Sequence, residues 1–373
     1  MVARKPLAAG LLPDPLKSMN VLITGGAGFV GSNLALSFRE QNPGARVVAF
    51  DNLRRRGAEL NLPVFKERGI EFVHGDIRNP HDLEDLAGNF DILIEASAEP
   101  SVLAGINSSP AYLLQTNLLG TLNCLEWARR RAPDLVFLST SRVYSIAPLK
   151  AINLREAPTR FEIAREEEAS CGVSASGINE EFPTHLPRSL YGASKLASEM
   201  LIQEYVATYG MRAVINRCGV IAGPGQFGKV DQGVFTLWVA NHFFNKPLKY
   251  TGFGGEGKQV RDLLHPADLF RLITKQLDTL DTCSGEVFNV GGGHQISTSL
   301  RELTGLCREV VGNRVPIVEE QETASVDIPL YISDYAKAAR VFDWRPAHDV
   351  TAIVRDIHRW LRLNETQLKP IFV

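Results

Sequence analysis

NVLITGGAGFVGSN, residues 20–33, is the stretch that decides the fold. A short apolar strand pattern leads into glycines, and the pattern then changes to that of a helix. Gly26, Gly28 and Gly31 fit the G-x-G-x-x-G spacing, and Gly25 adds a further glycine before them. Glycines let the backbone turn tightly and approach a pyrophosphate, while the free N–H groups at the helix start bind its charge. The stretch therefore predicts a dinucleotide site.

The residues around this site favour one dinucleotide over another. A Walker-type phosphate loop is excluded, because it requires a lysine where Ser32 follows Gly31. The next predicted strand ends at Asp51, whose carboxylate can accept the ribose hydroxyls of adenosine and would repel a 2′-phosphate. This favours NAD over NADP. Arg54–Arg56 keep NADP open, since arginines can accommodate that phosphate.

Short apolar runs alternate with helical patterns through the first three quarters of the chain. The seven predicted strands are Asn20–Thr24, Val47–Asp51, Ile70–His74, Ile92–Ala96, Leu135–Ser139, Ala213–Asn216 and Val287–Val290. Most of them are apolar on both faces, which is typical of a parallel sheet covered by helices on each side. The pattern predicts an α/β fold with a doubly wound, Rossmann-like parallel sheet.

After about residue 217 the alternation loosens and Gly, Pro and aromatic residues become frequent. We expect a smaller C-terminal substrate-binding domain there, with a last helix near Thr351–Leu363. The expected division of the chain is an N-terminal extension (1–18), a dinucleotide-binding domain (19–217 with about 266–295) and the substrate domain (about 218–265 with 296–373).

The bulk composition excludes several functional classes. The chain has 373 residues, 45% of them hydrophobic, and a formal net charge of −2, so nothing draws it generally to nucleic acid or to an anionic membrane. No apolar run approaches the ~20 residues of a membrane span. Five scattered cysteines without C-x-x-C spacing favour a reducing cytoplasm. Eight dispersed histidines lack paired-ligand spacing, so no metal site is expected.

RSLYGASKLASE, residues 188–199, places Tyr191 and Lys195 on one face of a predicted helix. A phenol has a pKa of about 10, but a nearby ammonium favours the phenolate and lowers it. Tyr191 can then take a proton from a substrate hydroxyl while hydride leaves the same carbon. Thr140, at the end of a predicted strand, is placed to bond the substrate oxygen. Tyr-x-x-x-Lys alone is common on helix surfaces, so the interpretation depends on the dinucleotide site.

Several motifs together resemble the extended short-chain dehydrogenase/reductase family of nucleotide-sugar epimerases and dehydratases. The motifs, which run from Met19 over nearly the whole chain, are TGGAGFVGSN, FDNL, GDIRN, TNLLGTLN, LSTSRVY, YGASK, VRDLLH and FNVGGG. Four stretches, FDNLRRRGAELNL, FVHGDIRN, DQGVFTLW and GKQVRDLLH, are similar to one branch of it, the CDP-paratose 2-epimerases (CDP-tyvelose 2-epimerases).

The resemblance implies a catalytic triad and a cofactor site. The triad is Thr140, Tyr191 and Lys195, with NAD held throughout turnover. The implied cofactor-binding residues are Gly25, Gly28, Phe29, Val30, Gly31, Asp51, Asn52, Asp76, Ile77, Ala96, Ser97, Ala98, Asn117, Ser139, Tyr191 and Lys195. For Asp76 and Ile77 a plain strand-end turn is an equally good interpretation. The resemblance also suggests a homodimer built on helices beside the active-site strand.

Two positions after Thr140 separate the activities found in this family. Its 4,6-dehydratases carry an acidic pair there, and its UDP-glucuronate decarboxylases carry a Glu. Here these residues are Ser141 and Arg142, which favours redox-neutral epimerisation of a nucleotide-sugar, a CDP-sugar above all. A UDP-sugar 4-epimerase, another oxidoreductase of the family and a non-catalytic NAD-binding protein remain as alternatives.

Candidate residues for the substrate side lie in the later loops. They are Thr140, Arg217, Gln232, Gln259 and Arg261, with Lys229, Asp231 and Lys258 as weaker candidates for contacts with the diphosphate, base or sugar. Phe227, Tyr250 and Phe253 either stack on a base or belong to the core. The chain departs from the family in two segments. Glu95 and Glu99 stand where a His-x-Ala segment is usual, and Arg217-Cys218-Gly219-Val220 replaces the Arg-His-Ser-Ser of the epimerase branch.

Overall fold

The computed structural model describes residues 19–106, 108–164, 171–228 and 232–373. The expected N-terminal extension (1–18), the polar run REEEAS (165–170) and the candidates Lys229 and Asp231 lie outside the described residues.

The chain alternates strands and helices as its sequence predicts. The strands are β1 (Asn20–Thr24), β2 (Arg46–Asp51), β3 (Glu71–His74), β4 (Ile92–Glu95), β5 (Asp134–Thr140), β6 (Leu154–Glu156), β7 (Phe161–Ile163), β8 (Val173–Ser174), β9 (Gly177–Ile178), β10 (Ala213–Cys218), β11 (Val220–Ile221), β12 (Leu248–Thr251), β13 (Val260–Leu264), β14 (Val287–Val290), β15 (Ser297–Ser299), β16 (Ile317–Glu320) and β17 (Leu330–Tyr331).

Helices cover both faces of the large sheet and build most of the C-terminal part. They are α1 (Phe29–Gln41), α2 (Leu62–Arg68), α3 (Pro80–Glu84), α4 (Ala111–Leu114), α5 (Gly120–Arg131), α6 (Ile146–Ala151), α7 (Leu190–Tyr209), α8 (Val234–Phe243), α9 (Pro266–Asp278), α10 (Leu280–Cys283), α11 (Leu300–Val311), α12 (Ala336–Phe342), α13 (Val350–Leu363) and α14 (Glu365–Phe372). A π-helical turn, Gln115–Leu119, joins α4 to α5.

Seven parallel strands form the central sheet in the order β14-β10-β5-β4-β1-β2-β3. The predicted doubly wound, Rossmann-like fold is therefore confirmed. The order of the strands reverses between β1 and β4, which is where ligands of such sheets bind, beyond the carboxyl ends of the strands. The glycine stretch follows β1, and the segment Ala96–Ser101 follows β4.

The seven predicted strands correspond to these seven, with differences only at the ends. β1 and β14 have the predicted bounds, whereas β10 continues past Asn216 to Cys218. It does so because Arg217 and Cys218 still pair with Ser139 and Thr140 of β5. A charged residue thus remains inside a buried strand. The predicted last helix, Thr351–Leu363, is confirmed as α13.

The large core packs on one face of this sheet and a smaller core packs on the other face. A further core, called the second core, lies apart from them. Its members are aromatic and aliphatic residues of α8, α11, α13 and the segment before α8, among them Phe235, Trp238, Leu303 and Ile357. We infer that this second core defines the smaller C-terminal unit. α12 belongs to the large core, because Ala338 and Phe342 pack there, so the later chain contributes to both units.

A second sheet has four short strands. Its strand β13 pairs with β11, β15 and β17, and Gln259 immediately precedes β13. Among the described residues, no helix combines the length and the apolar character that a membrane crossing needs.

Candidate active site

The glycine stretch forms a turn that only small residues permit. Gly25 has a φ of +64°, and a Cβ on it would lie 2.8 Å from the carbonyl oxygen of Ala96. A Cβ on Gly31 would lie 2.2 Å from the carbonyl oxygen of Gly25. Gly28 is the N-cap of α1 and provides no side-chain cap. The helix therefore starts with free N–H groups at the mouth of the cleft, a site suited to a pyrophosphate.

Asp51 connects this turn to the ribose position. Its Oδ2 accepts a hydrogen bond from the Ala27 N–H at 3.1 Å, and its Oδ1 accepts one from Leu53 at 2.8 Å. Burial raises the pKa of Asp51, although these backbone bonds act in the opposite direction. Each carboxylate oxygen retains a further lone pair, so Asp51 can shape the loop and still accept ribose hydroxyls.

Asn52 and Asp76 stand at the adenosine end of the cleft. The Asn52 amide donates to Asp76 Oδ2 at 2.9 Å, and Arg78 forms an ion pair with the same carboxylate at 2.6 Å. Burial acts to raise the pKa of Asp76, but the hydrogen bonds from Arg78 and Asn52 outweigh it and lower the pKa to about 2. Asp76 is thus a fixed anion, and its loop is more than a plain turn.

A cleft of about 500 Å³ connects these residues. Thirteen of the residues predicted to bind cofactor or substrate line it: Gly25, Gly28, Phe29, Val30, Gly31, Asp51, Asn52, Asp76, Ile77, Ala96, Ser97, Ala98 and Gln232. Five other predicted residues do not line this cleft and lie in the π-helical turn, β5 and α7. Asn117, Ser139, Thr140, Tyr191 and Lys195 are all less than 10% exposed.

The three arginines that left NADP open have other partners. The guanidinium of Arg54 lies over the Tyr112 ring, 3.9 Å from its centroid. Arg55 donates to the carbonyl oxygen of Phe227 at 3.1 Å, and Arg56 donates to that of Pro370 at 2.5 Å. Two of these bonds cross the cleft to the C-terminal part of the chain. They connect the loop that contains Arg55 and Arg56 to Phe227 and Pro370.

Tyr191 lies at the start of α7, near Thr140 at the end of β5, whose hydroxyl acts to lower the pKa of the phenol. Ser189 caps this helix by accepting from the Gly192 N–H at 3.2 Å. A Cβ on Gly192 would lie 2.0 Å from the carbonyl oxygen of Arg142. The glycine after the tyrosine therefore lets α7 pack directly against the segment that follows Thr140, which brings the two hydroxyls together.

The charges around Tyr191 differ from the simplest expectation. Burial raises the pKa of Tyr191 to about 12 in the cofactor-free protein, while Thr140 and then Arg142 act to lower it. Burial also lowers the pKa of Lys195. Its ammonium lies 3.9 Å from the centroid of the Phe137 ring. The sequence analysis used Arg142 only to show that no acid follows Thr140. In the structure Arg142 is the cation that acts to lower the pKa of the phenol.

Asn117 lies within the π-helical turn and connects three segments. Its amide oxygen accepts from the Glu99 N–H at 2.8 Å, and its amide nitrogen donates to the Glu99 carbonyl at 3.0 Å. The carbonyl oxygen of Asn117 accepts from the Ser198 hydroxyl of α7 at 2.9 Å. π turns expose backbone carbonyls in this way and are frequent at functional sites. Asn117 therefore positions the Glu99 loop relative to α7.

Arg217 is less than 10% exposed and is engaged inside the fold rather than at the cleft. Its guanidinium pairs with Glu199, and Ser139 donates to the same carboxylate. Burial disfavours its charge, but Glu199 and Tyr144 outweigh this and raise the pKa of Arg217. Arg217 and Ser139 therefore bind the same buried carboxylate, and neither lines the cleft. Their roles toward ligands stay predictions.

The predicted cation Arg261 and the neighbouring Arg142 both lie near the carboxylate of Asp327. Arg261 donates to Asp327 Oδ1 at 3.0 Å, and the guanidinium of Arg142 approaches the same atom to 4.0 Å. Burial lowers the pKa of Arg261 to about 10. The two arginines and Asp327 carry a net charge of +1, which suits an anion. Lys258, by contrast, is paired with Glu156 and Glu256.

Two of the three aromatic candidates, Phe227 and Tyr250, pack in or against the second core, and Phe227 also lines the cleft. Phe253 packs against Phe161. Tyr250 stacks on Trp238 with ring centroids 5.7 Å apart and donates to Thr304. Phe227 packs against Trp360 and Phe372. Tyr112 and Thr116, which line the cleft, were missed. No motif marks Tyr112, whereas Thr116 begins the motif TNLLGTLN and could have been found there.

Comparison with known proteins agrees with this geometry. The model of the NAD dependent epimerase/dehydratase family matches residues 21–291. The chain is 31% identical to a CDP-paratose 2-epimerase from Salmonella typhi, with 92% of this chain and 99% of that protein covered. It is 28% identical to a dTDP-glucose 4,6-dehydratase from Streptomyces antibioticus, with 95% of each chain covered.

A solved structure gives the same result. The UDP-glucose 4-epimerase of Thermus thermophilus in complex with NAD superposes with a TM-score of 0.72 at 26% identity, over 92% of this chain and 99% of that one. The glycine turn, Asp51 and the free N-terminus of α1 fit that cofactor. The chain therefore belongs to the NAD-dependent epimerase/dehydratase family, and its cofactor is NAD.

Proposed function

We propose that the protein is a nucleotide-sugar epimerase that inverts C2 of a CDP-sugar of the CDP-paratose type. One observation carries the proposal: the Thr140 hydroxyl and the cation Arg142 both lie near Tyr191 and act to lower its pKa, and neither residue after Thr140 is an acid. The 4,6-dehydratases that this chain resembles use an acidic pair, at the positions of Ser141 and Arg142, for the loss of water. Without them, the chemistry left to the site is oxidation and re-reduction of one carbon.

The residues divide this reaction between them. Bound NAD⁺ supplies a hydride acceptor, and later the hydride donor, for the sugar carbon. Tyr191 takes the proton of the hydroxyl on that carbon and gives it back after the keto sugar has turned its other face. Thr140 bonds the same oxygen and keeps it in line with the phenol. Lys195 holds the nicotinamide ribose, while Arg142 supplies the positive charge that favours the phenolate.

The diphosphate of the substrate fits the pair Arg142 and Arg261. Arginine binds phosphate through planar, bidentate hydrogen bonds. Asp327, about a third exposed, holds both guanidiniums in place and can release them to a stronger anion. Gln232 and Gln259 each have a buried amide oxygen without a hydrogen-bond partner among the described residues. These atoms are suited to the amino group of a base or to sugar hydroxyls.

An epimerase of this type keeps its cofactor through turnover, since the same molecule takes and returns the hydride. The bonds of Arg55 and Arg56 across the cleft support this, because NAD can leave only when they open. Because Arg55 and Arg56 are occupied by these bonds, they are not available to a 2′-phosphate. Asp51 would repel that phosphate, so NAD is preferred to NADP.

We further propose a homodimer in the cytoplasm. The outer faces of α7 and the π turn expose Met200 (61%) and Leu119 (50%). Apolar side chains of this size on two neighbouring helices are suited to a second copy of the chain. All five cysteines are free, as a reducing compartment would keep them.

The test is NMR of the purified protein with CDP-, UDP-, GDP- and dTDP-hexoses, including CDP-paratose, in D₂O. We expect a CDP-sugar inverted at C2 without deuterium at that carbon, because the hydride returns from the cofactor. Deuterium at the inverted carbon would overturn the mechanism. Inversion at C4 of a UDP-sugar would replace the substrate and leave the mechanism intact. Bound NAD with no conversion of any sugar would favour a non-catalytic role.

A further inference from the structure

Glu95 lies in the same row of the sheet as the ring that supports Lys195. In the parallel register, Glu95 of β4 is paired with Thr24 of β1 on one side and with Phe137 of β5 on the other. Paired residues of neighbouring strands point to the same face and are separated by about 5 Å. The Lys195 ammonium lies 3.9 Å from the centroid of the Phe137 ring. The lysine therefore reaches the sheet beside the carboxylate of Glu95.

The carboxylate of Glu95 is incompletely satisfied by the fold. Glu95 is 0% exposed, and its Oε1 accepts a hydrogen bond from the Thr121 hydroxyl at 2.6 Å. Its Oε2 has no hydrogen-bond partner among the described residues, and neither has the hydroxyl of the adjacent Thr24. A buried carboxylate costs several kcal/mol unless a cation or hydrogen bonds compensate it. A single hydroxyl is weak compensation.

We propose that Glu95 is a positioning residue, the buried counterion that keeps Lys195 protonated and directs its ammonium toward the active site. The proposal rests on the role of Lys195 in the proposed function. It assigns a task to the strand end that departs from the family, where a His-x-Ala segment is usual. A histidine is neutral or cationic, so it cannot compensate a lysine as a carboxylate does.

Four titratable groups face Lys195 from the elements packed around it. They are Glu95 on β4, Glu199 on α7, Cys124 on α5 and Cys218 on β10. Glu199 is already paired with Arg217. Both thiols are buried and have raised pKa values, so they are neutral. Glu95 is thus the anion with an unengaged oxygen next to the lysine.

The sign of the effect follows from these charges. Burial lowers the pKa of Lys195, and Glu95 raises it. Burial raises the pKa of Glu95 above its ordinary value, although Lys195 and then Thr121 act to lower it. Replacement of Glu95 by the isosteric glutamine leaves burial in place and removes the opposing charge. The pKa of Lys195 must then fall further, by about 1 to 3 units for an opposite charge at close range.

The test follows the charge of Lys195 directly and needs no substrate. Protein labelled with [ε-¹³C]lysine is titrated by NMR, and the Lys195 signal is assigned with the Lys195→Arg variant. In Glu95→Gln we expect Lys195 to titrate at least one pH unit lower than in the wild type. Glu99→Gln is the matched control. Glu99 follows the same strand but does not face Lys195, so its removal should leave the titration unchanged.

An unchanged Lys195 titration in Glu95→Gln would overturn the proposal. Should that variant not fold, Thr121→Val replaces it. Without its hydrogen bond the carboxylate ionises less readily, and Lys195 should titrate lower by a smaller amount. No shift there would be equally fatal. A failure of the proposed function looks different: Lys195 would shift as expected while no nucleotide-sugar is converted at any pH.

Discussion

The guanidinium of Arg217 lies against the carboxylate of Glu199, with Nη2 2.7 Å from Oε2 and Nε 3.1 Å from the same oxygen. Both side chains are less than a tenth exposed. Loss of one partner of such a pair leaves an uncompensated buried charge and costs about 3–5 kcal/mol. We expect Arg217→Met to lower the free energy of unfolding by that amount in a chemical denaturation experiment.

An exposed ion pair supplies the control for this experiment. Arg46→Met breaks the bond to Glu71 at the sheet edge and should cost less than about 1 kcal/mol. Unchanged stability in Arg217→Met together with a raised KM for the sugar nucleotide would mean that Arg217 binds substrate after all.

Tyr191→Phe should keep the fold and the bound NAD but lose turnover by several orders of magnitude. In the proposed mechanism the phenol exchanges the substrate proton, and the phenyl ring of the variant retains the packing of the side chain. Tyr205→Phe on the same helix is the control, because its hydroxyl donates to Glu126 far from the cleft. Turnover is measured on the sugar nucleotide identified by NMR. Near-normal activity in Tyr191→Phe would remove Tyr191 from the mechanism.

Arg261→Gln should raise KM for the sugar nucleotide about 10- to 100-fold and change NAD binding little. Hydrogen bonds to charged groups contribute about 1.5–3 kcal/mol, which corresponds to that range. Steady-state kinetics and NAD titration measure the two effects separately. Arg155→Gln, which removes a 71% exposed guanidinium, is expected to leave both constants unchanged. Equal losses in the two Arg variants would argue against a diphosphate site at Arg261.

Arg55→Ala should release NAD about 2- to 10-fold faster than the wild type. One hydrogen bond contributes about 0.5–1.5 kcal/mol, and in the proposed function the bond from Arg55 to Phe227 retains the cofactor. Stopped-flow displacement of bound NAD measures the rate. Lys66→Ala, at an exposed position of α2, is the comparison variant. If both variants release NAD at the wild-type rate, closure of the loop onto Phe227 does not retain the cofactor.

Stability should fall between about pH 4 and pH 6 because of Asp262. Burial raises the pKa of Asp262 from its ordinary 3.8 to about 6. The raised folded-state pKa stabilises the fold below pH 3.8, and this contribution is lost as the pH rises through 6. The loss is about 3 kcal/mol, from about 1.4 kcal/mol per unit.

Asp262→Asn should abolish this decline, because asparagine is neutral throughout and still accepts the bond from the Gly293 N–H. The measurement is the urea midpoint of unfolding of the wild type and of Asp262→Asn at about pH 4, 5, 6 and 7. A decline of the same size in the variant would assign it to another group.

The fold and the cofactor site could be predicted because each depends on local sequence. Seven apolar runs and the glycine turn after β1 determine a parallel sheet and its ligand edge. Tyr191 and Lys195 are one helical turn apart, so their shared face was predictable too. These predictions needed no knowledge of distant contacts.

The remaining parts of the site depend on which distant segments meet. Arg217 was predicted to bind a diphosphate because it follows an apolar strand. Nothing in the sequence links it to Glu199 on α7. Asp327 is brought to Arg142 and Arg261 only by the pairing of β17 with β13. Tyr112 is held by the guanidiniums of Arg54 and Arg78, which lie over its ring. Periodicity identifies the face of an element, but it does not identify the partner.

The π turn at Asn117 inserts one residue into an otherwise continuous helix, and this shifts the phase of everything after it. One residue corresponds to about 100° of rotation about the helix axis. Tyr112 and Thr116, before or within the turn, line the cleft, whereas Cys124 and Ala128, after it, pack in the core on one face of the large sheet. A one-residue deletion within the turn would rotate Cys124 and Ala128 by about 100° relative to Tyr112 and Thr116, so one of the two pairs would lose its place.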